Sequence, residues 1–346
     1  MPEIDIVIPT FNRHGPLNRC LDALRAQEYR DFGVIVVDDG SAPGIEQTIP
    51  ATLRKDLNLR IVSSANGGPA RARNLGVAES DAEFVAFIDD DVLAAPEMLR
   101  LHREAVGDSP TKVSFGPLVA PAGWQPTPWN LWEADKLSIE YDKMTAGVYE
   151  PTWRQFFTGN AFVRRRHILA AGGFDERFTR AEDVELGLRL AGLGCDFAFV
   201  PGAIGWHHAE RSLKSWLAIP RAYGRLDVAI DEIHPDEERA VNVEREMREM
   251  RTLPVRVART VSSRRFGRPV VTNGSVGCAR VLYAAGAKRL ALRFLSLAFD
   301  AEYVTSFRAA RRTGAGLGPR KPAGASGSAA GTAERQGINS PSTPST

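Results

Sequence analysis

The chain has 346 residues, of which 43% are hydrophobic and 25% are charged, and its formal net charge is +2. This composition supports about two domains around an apolar core, and it excludes a wholly disordered chain, a collagen and a coiled coil. No apolar run reaches about 18 residues, and the N-terminal MPEIDIVIPT lacks a signal-peptide layout, so neither a membrane-spanning helix nor a leader is predicted.

Strand and helix signals alternate along the first 120 residues. Short apolar runs predict strands at residues 5–9, 33–37, 59–63 and 84–88, and helical spacing predicts helices at 15–27, 45–55 and 69–77. Because the strands are apolar on both faces, the pattern predicts a mainly parallel sheet covered by helices on both sides.

The periodicity weakens after residue 120. The Pro- and Trp-rich stretch 120–149 is interpreted as a long functional loop that includes one short helix. It either forms part of an acceptor pocket or is pinned to the core by its tryptophans. A strand at 156–164, a helix at 182–193 and a strand at 195–200 are predicted next. A charged helix follows at 231–251, then an amphipathic segment at 275–299 and, from 313, the composition of a disordered tail.

The charge is unevenly distributed. The first 250 residues carry a net charge of −11, whereas residues 251–320 hold 14 Lys and Arg against two acidic residues. This asymmetry predicts an anionic partner for the basic segment, such as the inner face of a membrane, with a merely solvated helical face as the equal alternative. Nucleic acid is disfavoured, because no aromatic side chains interleave with the arginines. Three widely spaced cysteines without metal-ligand spacing predict a cytoplasmic location.

Three aspartates follow the fourth predicted strand, in FVAFIDDDV. In an extended chain Asp89 and Asp91 face the same side and Asp90 faces the other. Ligands of open α/β sheets bind beyond the carboxyl ends of the strands, and clustered carboxylates favour Mg²⁺ or Mn²⁺. Taken alone, the triplet is better explained as a surface turn with a helix cap near Pro96.

Two further polar segments are predicted at the same sheet edge. A carboxylate of Asp38-Asp39-Gly40 could accept a hydrogen bond from a nucleobase, or it could simply cap a helix. In NGGPARARNLG, Gly68 permits close backbone approach and Arg73 can reach a phosphate or a base. A Gly-Gly turn before a helix explains the glycines but not the two arginines.

The order of these motifs closely resembles the family 2 inverting glycosyltransferases with the GT-A fold. The series is IVIPTFNR, VVDDGS, NGGPARARNLG and FVAFIDDDV, followed by FTGNAFVRRRHILAAGGFDERF, AEDVELGLRL and GWHHAERS, and it covers about residues 3–215. The resemblance implies a Rossmann-like, mostly parallel sheet flanked by helices, with a C-terminal helical extension. The divisions expected are a nucleotide-sugar-binding half (1–120), an acceptor-binding half (121–215), a basic helical extension (216–312) and a disordered tail (313–346).

The resemblance also assigns roles to residues. Asp183 is implied as the general base, with Glu182 beside it, and Asp39 as the group that reads uracil. The residues implied in donor binding are Pro9, Thr10, Arg13, Asp39, Gly68, Arg73, Asp89 and Asp90. The residues implied around Mg²⁺ or Mn²⁺ are Asp89, Asp91, His207 and the competing His208.

The chemistry of inverting glycosyl transfer requires a general base, independently of the resemblance. Inversion is a single in-line displacement, so a base must take the acceptor's proton on the face opposite the leaving diphosphate, and Asp183 at the start of a helix is suitable. Acidic residues there would also merely complement the helix dipole. The sequence thus predicts a metal-dependent inverting glycosyltransferase that uses a UDP- or dTDP-sugar and an unidentified acceptor, either a glycan, a glycolipid or a small natural product. A sugar nucleotidyltransferase and a non-catalytic nucleotide-sugar-binding protein are the alternatives.

Overall fold

The computed structural model describes residues 1–207, 211–234, 259–262 and 267–314. The strands are β1 Ile4–Thr10, β2 Phe32–Asp38, β3 Leu59–Ser63, β4 Phe84–Ile88, β5 Val92–Ala94, β6 Lys112–Phe115, β7 Leu118–Val119, β8 Asn160–Arg164, β9 Asp196–Phe199 and β10 Gly205–His207. The helices are α1 His14–Leu24, α2 Ala51–Asp56, α3 Pro69–Ala78, α4 Met98–Val106, α5 Pro128–Thr145, α6 Arg165–Ala170, α7 Glu182–Gly192, α8 Leu213–Ile233, α9 Gly267–Ala284 and α10 Lys288–Thr313.

Seven strands form the main sheet in the order β3-β2-β1-β4-β8-β6-β9. The first four strands of that order are parallel, and β8 is antiparallel to both β4 and β6. Alternation along β1 puts Ile6 into an apolar core beneath α1 and α4, and Val7 into a second core beneath α3 and α7. The predicted mostly parallel sheet, covered on both faces, is confirmed.

A second, three-stranded sheet with the order β5-β10-β7 lies next to the edge where β4 ends. Strand β10 is antiparallel to β5, with His207 opposite Val92. Because Val92 directly follows Asp91, this register carries a histidine from late in the chain to the aspartate triplet.

The interpretation of residues 120–149 as mainly loop is wrong, because α5 occupies 18 of these residues. The hydroxyl of Thr127 caps the helix by accepting from the Asn130 N–H, and Pro128 fits its first turn, where no N–H is needed. Trp132 stacks on Phe299 of α10 with ring centroids 4.7 Å apart and meets Trp216 of α8 edge-on at 5.3 Å. The tryptophans therefore fix α5 to the C-terminal helices.

Those C-terminal helices differ in part from the expected segments. Helix α8 ends at Ile233, and most of the predicted charged helix lies outside the described residues. The amphipathic segment is divided between α9 and α10 by a turn in which Gly286 has φ +80°. Helix α10 extends to Thr313, the first residue of the expected tail. Residues 315–346 of that tail lie outside the described residues. Among the helices of the described part, none is long and apolar enough to cross a membrane.

Candidate active site

A cleft of about 570 Å³ opens beyond the carboxyl ends of β1, β2 and β4. The sequence-predicted residues that line it are Pro9, Thr10, Arg13, Asp39, Gly68, Arg73, Asp89, Asp90, Asp91, Glu182, Asp183 and His207. The fold therefore brings together every predicted site residue except His208, which lies outside the described residues.

The end of β1 and the residues after it bind the aspartate triplet. The Thr10 hydroxyl donates to Asp90 Oδ2 at 2.7 Å, and the Arg13 guanidinium donates to Asp91 Oδ2 at 2.7 Å. Arg13 Nε also lies 3.4 Å from Asp90 Oδ1. Asp90 therefore does not point away from the cleft as an alternating strand would require, because the chain turns directly after Ile88.

The pKa values of Asp90 and Asp91 are shifted in opposite directions. Burial raises the pKa of Asp90 to about 7, against the lowering effect of Arg13 and Thr10. Burial would also raise the pKa of Asp91, but His207 and Arg13 outweigh it and lower that pKa to about 2. The side chain of Asp89 is 38% exposed to the cleft. Asp89 and Asp91 are thus the members of the triplet suited to carry negative charge.

His207 completes a pair of metal-compatible donors with Asp91. Its Nε2 lies 3.4 Å from Asp91 Oδ1, on the β10 strand that faces β5. Burial alone would lower the pKa of His207, but the carboxylates of Asp91 and Asp89 raise it overall. Within the described residues no three His, Cys, Asp or Glu side chains already converge on one point.

The donor set nevertheless fits a divalent cation. Mg²⁺ in nucleotide sites is held by one or two carboxylates together with the phosphates of the substrate, rather than by a complete protein cage. Asp91 and His207 supply adjacent oxygen and nitrogen donors, and Asp89 is accessible from the same cleft. These three residues would hold the ion.

Asp39 organises the loop that begins α3. Its two carboxylate oxygens accept from the backbone N–H groups of Gly67 and Gly68, each at 2.8 Å. Gly68 has φ +88°, a conformation that residues with a side chain rarely adopt, and Pro69 follows at the first position of α3. Each oxygen keeps a second lone pair, so Asp39 can accept another hydrogen bond while it orders the loop.

Arg73 joins the two halves of the cleft. It is 5% exposed, and its guanidinium donates to Glu182 Oε1 at 2.7 Å and to Asp89 Oδ1 at 2.8 Å. Its Nε has no hydrogen-bond partner in the described structure. Sequence reasoning placed Arg73 near a phosphate, whereas the structure also makes it the link between the aspartate triplet and the start of α7.

Asp183 differs from its neighbour Glu182 in its partners. Glu182 is ion-paired with Arg73, whereas Asp183 accepts from the backbone N–H of Val184 at 2.8 Å and of Thr158 at 3.4 Å. Burial and then the charge of Glu182 raise the pKa of Asp183 to about 7, and Arg73 acts in the opposite direction. The cleft thus contains a half-buried carboxylate that exchanges a proton near neutral pH.

The far side of the cleft contains residues that the sequence analysis missed. Helix α5 contributes Glu133 and Leu137, and α8 contributes Tyr223. Arg211 donates to Glu133 Oε2 at 3.1 Å. Burial raises the pKa of the Tyr223 hydroxyl, and the carboxylates of Asp183 and Glu133 raise it further. No local motif marks these positions, although Glu133 and Leu137 lie within the Pro- and Trp-rich stretch 120–149.

A buried network behind the cleft was also missed. Asn160 Nδ2 donates to the carbonyls of Ala203 at 2.7 Å and of Pro117 at 3.3 Å, so its Oδ1 faces His102 Nε2 at 2.9 Å. The Nε2 of His102 must then carry the proton, and its Nδ1 accepts from the Ser114 hydroxyl at 2.9 Å. Burial lowers the pKa of His102 to about 4 and keeps it neutral. The two carbonyls precede β7 and β10, so Asn160 anchors the small sheet that carries His207.

The N-terminal part of the chain is similar to known glycosyltransferases. The family model described as Glycosyl transferase family 2 matches residues 5–172. The pre-mycofactocin glycosyltransferase of Mycobacterium tuberculosis is 31% identical over 235 residues, which are 68% of this chain and 48% of that protein. The chain spans about half the length of the curated relatives it matches.

Two solved structures are similar in fold. The S. aureus protein TarS, residues 1–349, has a TM-score of 0.53 and 18% identity over 90% of this chain and 92% of that chain. It has also been solved in complex with UDP-GlcNAc. The mannosyltransferase PcManGT from Pyrobaculum calidifontis, in complex with GDP-Man and Mn²⁺, has a TM-score of 0.56 and 18% identity over 90% and 87% of the two chains.

Proposed function

Because the chain belongs to glycosyltransferase family 2 and has a GT-A fold, we propose that it transfers a sugar from a nucleoside-diphosphate donor to an acceptor with inversion at the anomeric carbon. The nucleotide half of the cleft would be formed by the residues after β1, β2 and β4, and the acceptor half by α5, α7 and α8.

The observation that carries this proposal is the difference between Asp183 and Glu182. Both lie at the start of α7, but Arg73 neutralises Glu182 and leaves Asp183 without an ion pair among the described residues. A general base needs a free lone pair and a pKa near the working pH, and Asp183 has both. A carboxylate present only to complement the helix dipole needs neither.

The proposed step is a single displacement. The acceptor oxygen attacks the anomeric carbon, the bond from that carbon to the diphosphate breaks, and Asp183 takes the acceptor's proton. Arg73 donates to Asp89 on the donor side, and its buried Nε–H group has no hydrogen-bond partner among the described residues. Its positive charge would favour the negative charge that develops on the leaving diphosphate.

A divalent ion belongs to the same proposal. When bound by Asp91, His207 and Asp89, Mg²⁺ or Mn²⁺ would neutralise charge on the leaving diphosphate. The Mn²⁺ in the structure of PcManGT, which has the same fold, supports this assignment. The exposed Asp89 and the low pKa of Asp91 supply the charged oxygens that such an ion prefers.

The donor is proposed to be a UDP- or dTDP-sugar. Asp39 has a free lone pair on each carboxylate oxygen, which suits the ring N–H of uracil or thymine, whereas the two solved structures, one with UDP-GlcNAc and one with GDP-Man, favour neither base. The acceptor is proposed to bear a hydroxyl group on a glycan, a glycolipid or a small natural product. A cytoplasmic location is proposed from the three cysteines, all of which are free thiols.

Release of nucleoside diphosphate tests the proposal. The purified chain is incubated with Mn²⁺, a panel of UDP-, dTDP- and GDP-sugars, and lysate fractions as acceptors. The proposal expects release from one uridine or thymidine donor, which EDTA and Asp91→Asn both abolish. Release of pyrophosphate from a nucleoside triphosphate and a sugar 1-phosphate would instead identify a nucleotidyltransferase. Tight donor binding without release from any fraction would identify a binding protein.

A further inference from the structure

The hairpin formed by α9 and α10 has an unusual charge distribution. Residues 267–299 contain five basic residues and no Asp or Glu. Arg268 lies 3.4 Å from Glu302, but the other four, which are exposed, form no ion pair with any residue that the structure describes. They are Arg280, Lys288, Arg289 and Arg293.

The acidic residues that follow on α10 cannot neutralise these cations. Asp300 is paired with Arg259 at 2.6 Å, and Glu302 is buried and paired with Arg221 at 2.6 Å. Both carboxylates are therefore used within the helical bundle. Among the described residues, the cations at the other end of the hairpin therefore have no carboxylate partner, although Arg280 lies over the Trp129 ring at 5.6 Å and Lys288 Nζ over the Tyr283 ring at 5.8 Å.

Apolar side chains are exposed among the cations. Val281, in the last turn of α9, is 71% exposed, and Leu290, in the first turn of α10, is 44% exposed. We call this set, which surrounds the turn between the two helices, the hairpin surface: Arg280, Val281, Lys288, Arg289, Leu290 and Arg293.

The hairpin is firmly attached to the rest of the protein. Ala291 and Leu295 are fully buried, Trp132 Nε1 donates to Ser296 Oγ at 2.8 Å, and the Tyr283 hydroxyl donates to the Pro126 carbonyl at 2.8 Å. The exposed cations and apolar groups are therefore presented by ordered, packed helices. The attachment runs through α8, which contributes Trp216 and Ile219 to the same apolar cluster, and through α5, which also contributes Glu133 to the cleft.

We propose that the hairpin surface docks the protein on an anionic lipid membrane. Unpaired Lys and Arg attract acidic headgroups, and apolar side chains between them can enter the boundary between headgroups and acyl chains. Single-stranded nucleic acid fits less well, because no aromatic side chain of the hairpin is exposed as a platform for bases. The docking is a further property of the chain and does not depend on the proposed glycosyl transfer.

Vesicle sedimentation of the full chain tests the proposal. One set of vesicles is phosphatidylcholine alone, and in the other about a third of the lipid is phosphatidylglycerol. The protein should sediment with the anionic vesicles only, and about 1 M NaCl, which shortens the screening length to about 3 Å, should release most of it.

A double variant assigns the binding to the hairpin. Arg289→Gln/Arg293→Gln should weaken partitioning roughly 25-fold, because each basic residue at an anionic surface contributes about a factor of five. The matched control Arg19→Gln/Lys55→Gln makes the same change in net charge at exposed residues of α1 and α2 and should bind like the parent. Leu290→Ser should weaken binding several-fold and leave its salt dependence intact.

Three results would overturn the proposal. The first is equal binding to neutral and anionic vesicles, or binding to neither. The second is an equal loss in the control and hairpin variants, which would indicate only an effect of net charge. The third is tighter binding of the protein to single-stranded DNA than to the anionic vesicles, together with a loss of DNA binding in Arg289→Gln/Arg293→Gln. Unchanged melting temperatures show that each variant is folded, so that a loss of binding reports on the surface.

Discussion

Asp89 and Glu182 bind the same guanidinium, that of Arg73, at 2.8 and 2.7 Å. Asp89 follows β4, and Glu182 begins α7, so one buried cation holds the aspartate triplet against the helix that presents Asp183. The distance from the proposed leaving group to the proposed base therefore depends on Arg73.

Replacing Arg73 should destabilise the protein strongly. Arg73→Gln leaves Glu182 buried without its partner, and such a loss costs about 3–5 kcal/mol in the free energy of unfolding. Chemical denaturation measures the change. Arg100→Gln serves as the control, because Arg100 also contacts two carboxylates, Glu28 and Glu104, but on the surface. Similar unfolding midpoints for the two variants would contradict the structural role assigned to Arg73.

Asp39 should determine which nucleobase the donor carries, and it should also hold the loop of Gly67 and Gly68 in place. Asp39→Asn replaces one acceptor oxygen by an NH₂ group, which faces an N–H donor of Gly67 or Gly68 and cannot accept from uracil. We expect the wild type to bind UDP or dTDP more tightly than GDP, and the variant to lose at least tenfold in that affinity. Isothermal titration measures both. Tighter binding of GDP by the wild type would contradict the donor assignment.

Asn160 should control metal binding without contacting the metal. Asn160→Ala frees the carbonyls of Ala203 and Pro117, which position the small sheet, so the affinity for Mn²⁺ should fall together with stability. Ser114→Ala is the control, because it removes only the far partner of His102 and leaves both carbonyls bound. An equal loss of Mn²⁺ affinity in the two variants would show that the effect is general destabilisation.

The location of the site was predictable from the sequence, but its internal contacts were not. Apolar strands followed by polar residues predict that Asp39, Gly68 and Asp89 meet at one sheet edge, because parallel strands end on the same side. The role of Arg73 depends on Glu182 of α7, which lies 109 residues later in the sequence. No local sequence pattern predicts that the two residues are in contact.

Similar physical reasons explain why the sequence did not predict helix α5 and the network of His102 and Asn160. Helix α5 begins at Pro128, directly after its N-cap Thr127, and this short start signal lies in a stretch whose other prolines are typical of loops. His102 lies on α4 and Asn160 begins β8, 58 residues later in the sequence, and such positions gain a function only when tertiary packing brings their partners together. The roles carried over by resemblance, including that of His207, remain predictions that the geometry supports.

The pH dependence of turnover should follow Asp183. Its pKa of about 7 makes the carboxylate protonated, and unable to accept a proton, at lower pH. At saturating donor, kcat/KM for the acceptor, which reports groups that titrate before the acceptor binds, should therefore fall about tenfold per pH unit below pH 7 and level off above it. Because the pKa of Asp90 is also about 7, donor affinity is measured over the same range to separate the two groups. A kcat/KM for the acceptor that rises as the pH falls would contradict a carboxylate base.

The most direct test of the account is Asp183→Asn. The amide keeps the shape of the side chain but cannot take the acceptor's proton, so kcat should fall roughly 10²–10⁴-fold while donor affinity stays within about a factor of two. Glu182→Gln should lose less, because its amide oxygen can still accept from Arg73. Turnover is measured by nucleoside-diphosphate release at saturating donor and acceptor, with melting temperatures as the control for folding. Wild-type turnover in a folded Asp183→Asn protein would contradict the assignment of Asp183 as the catalytic base.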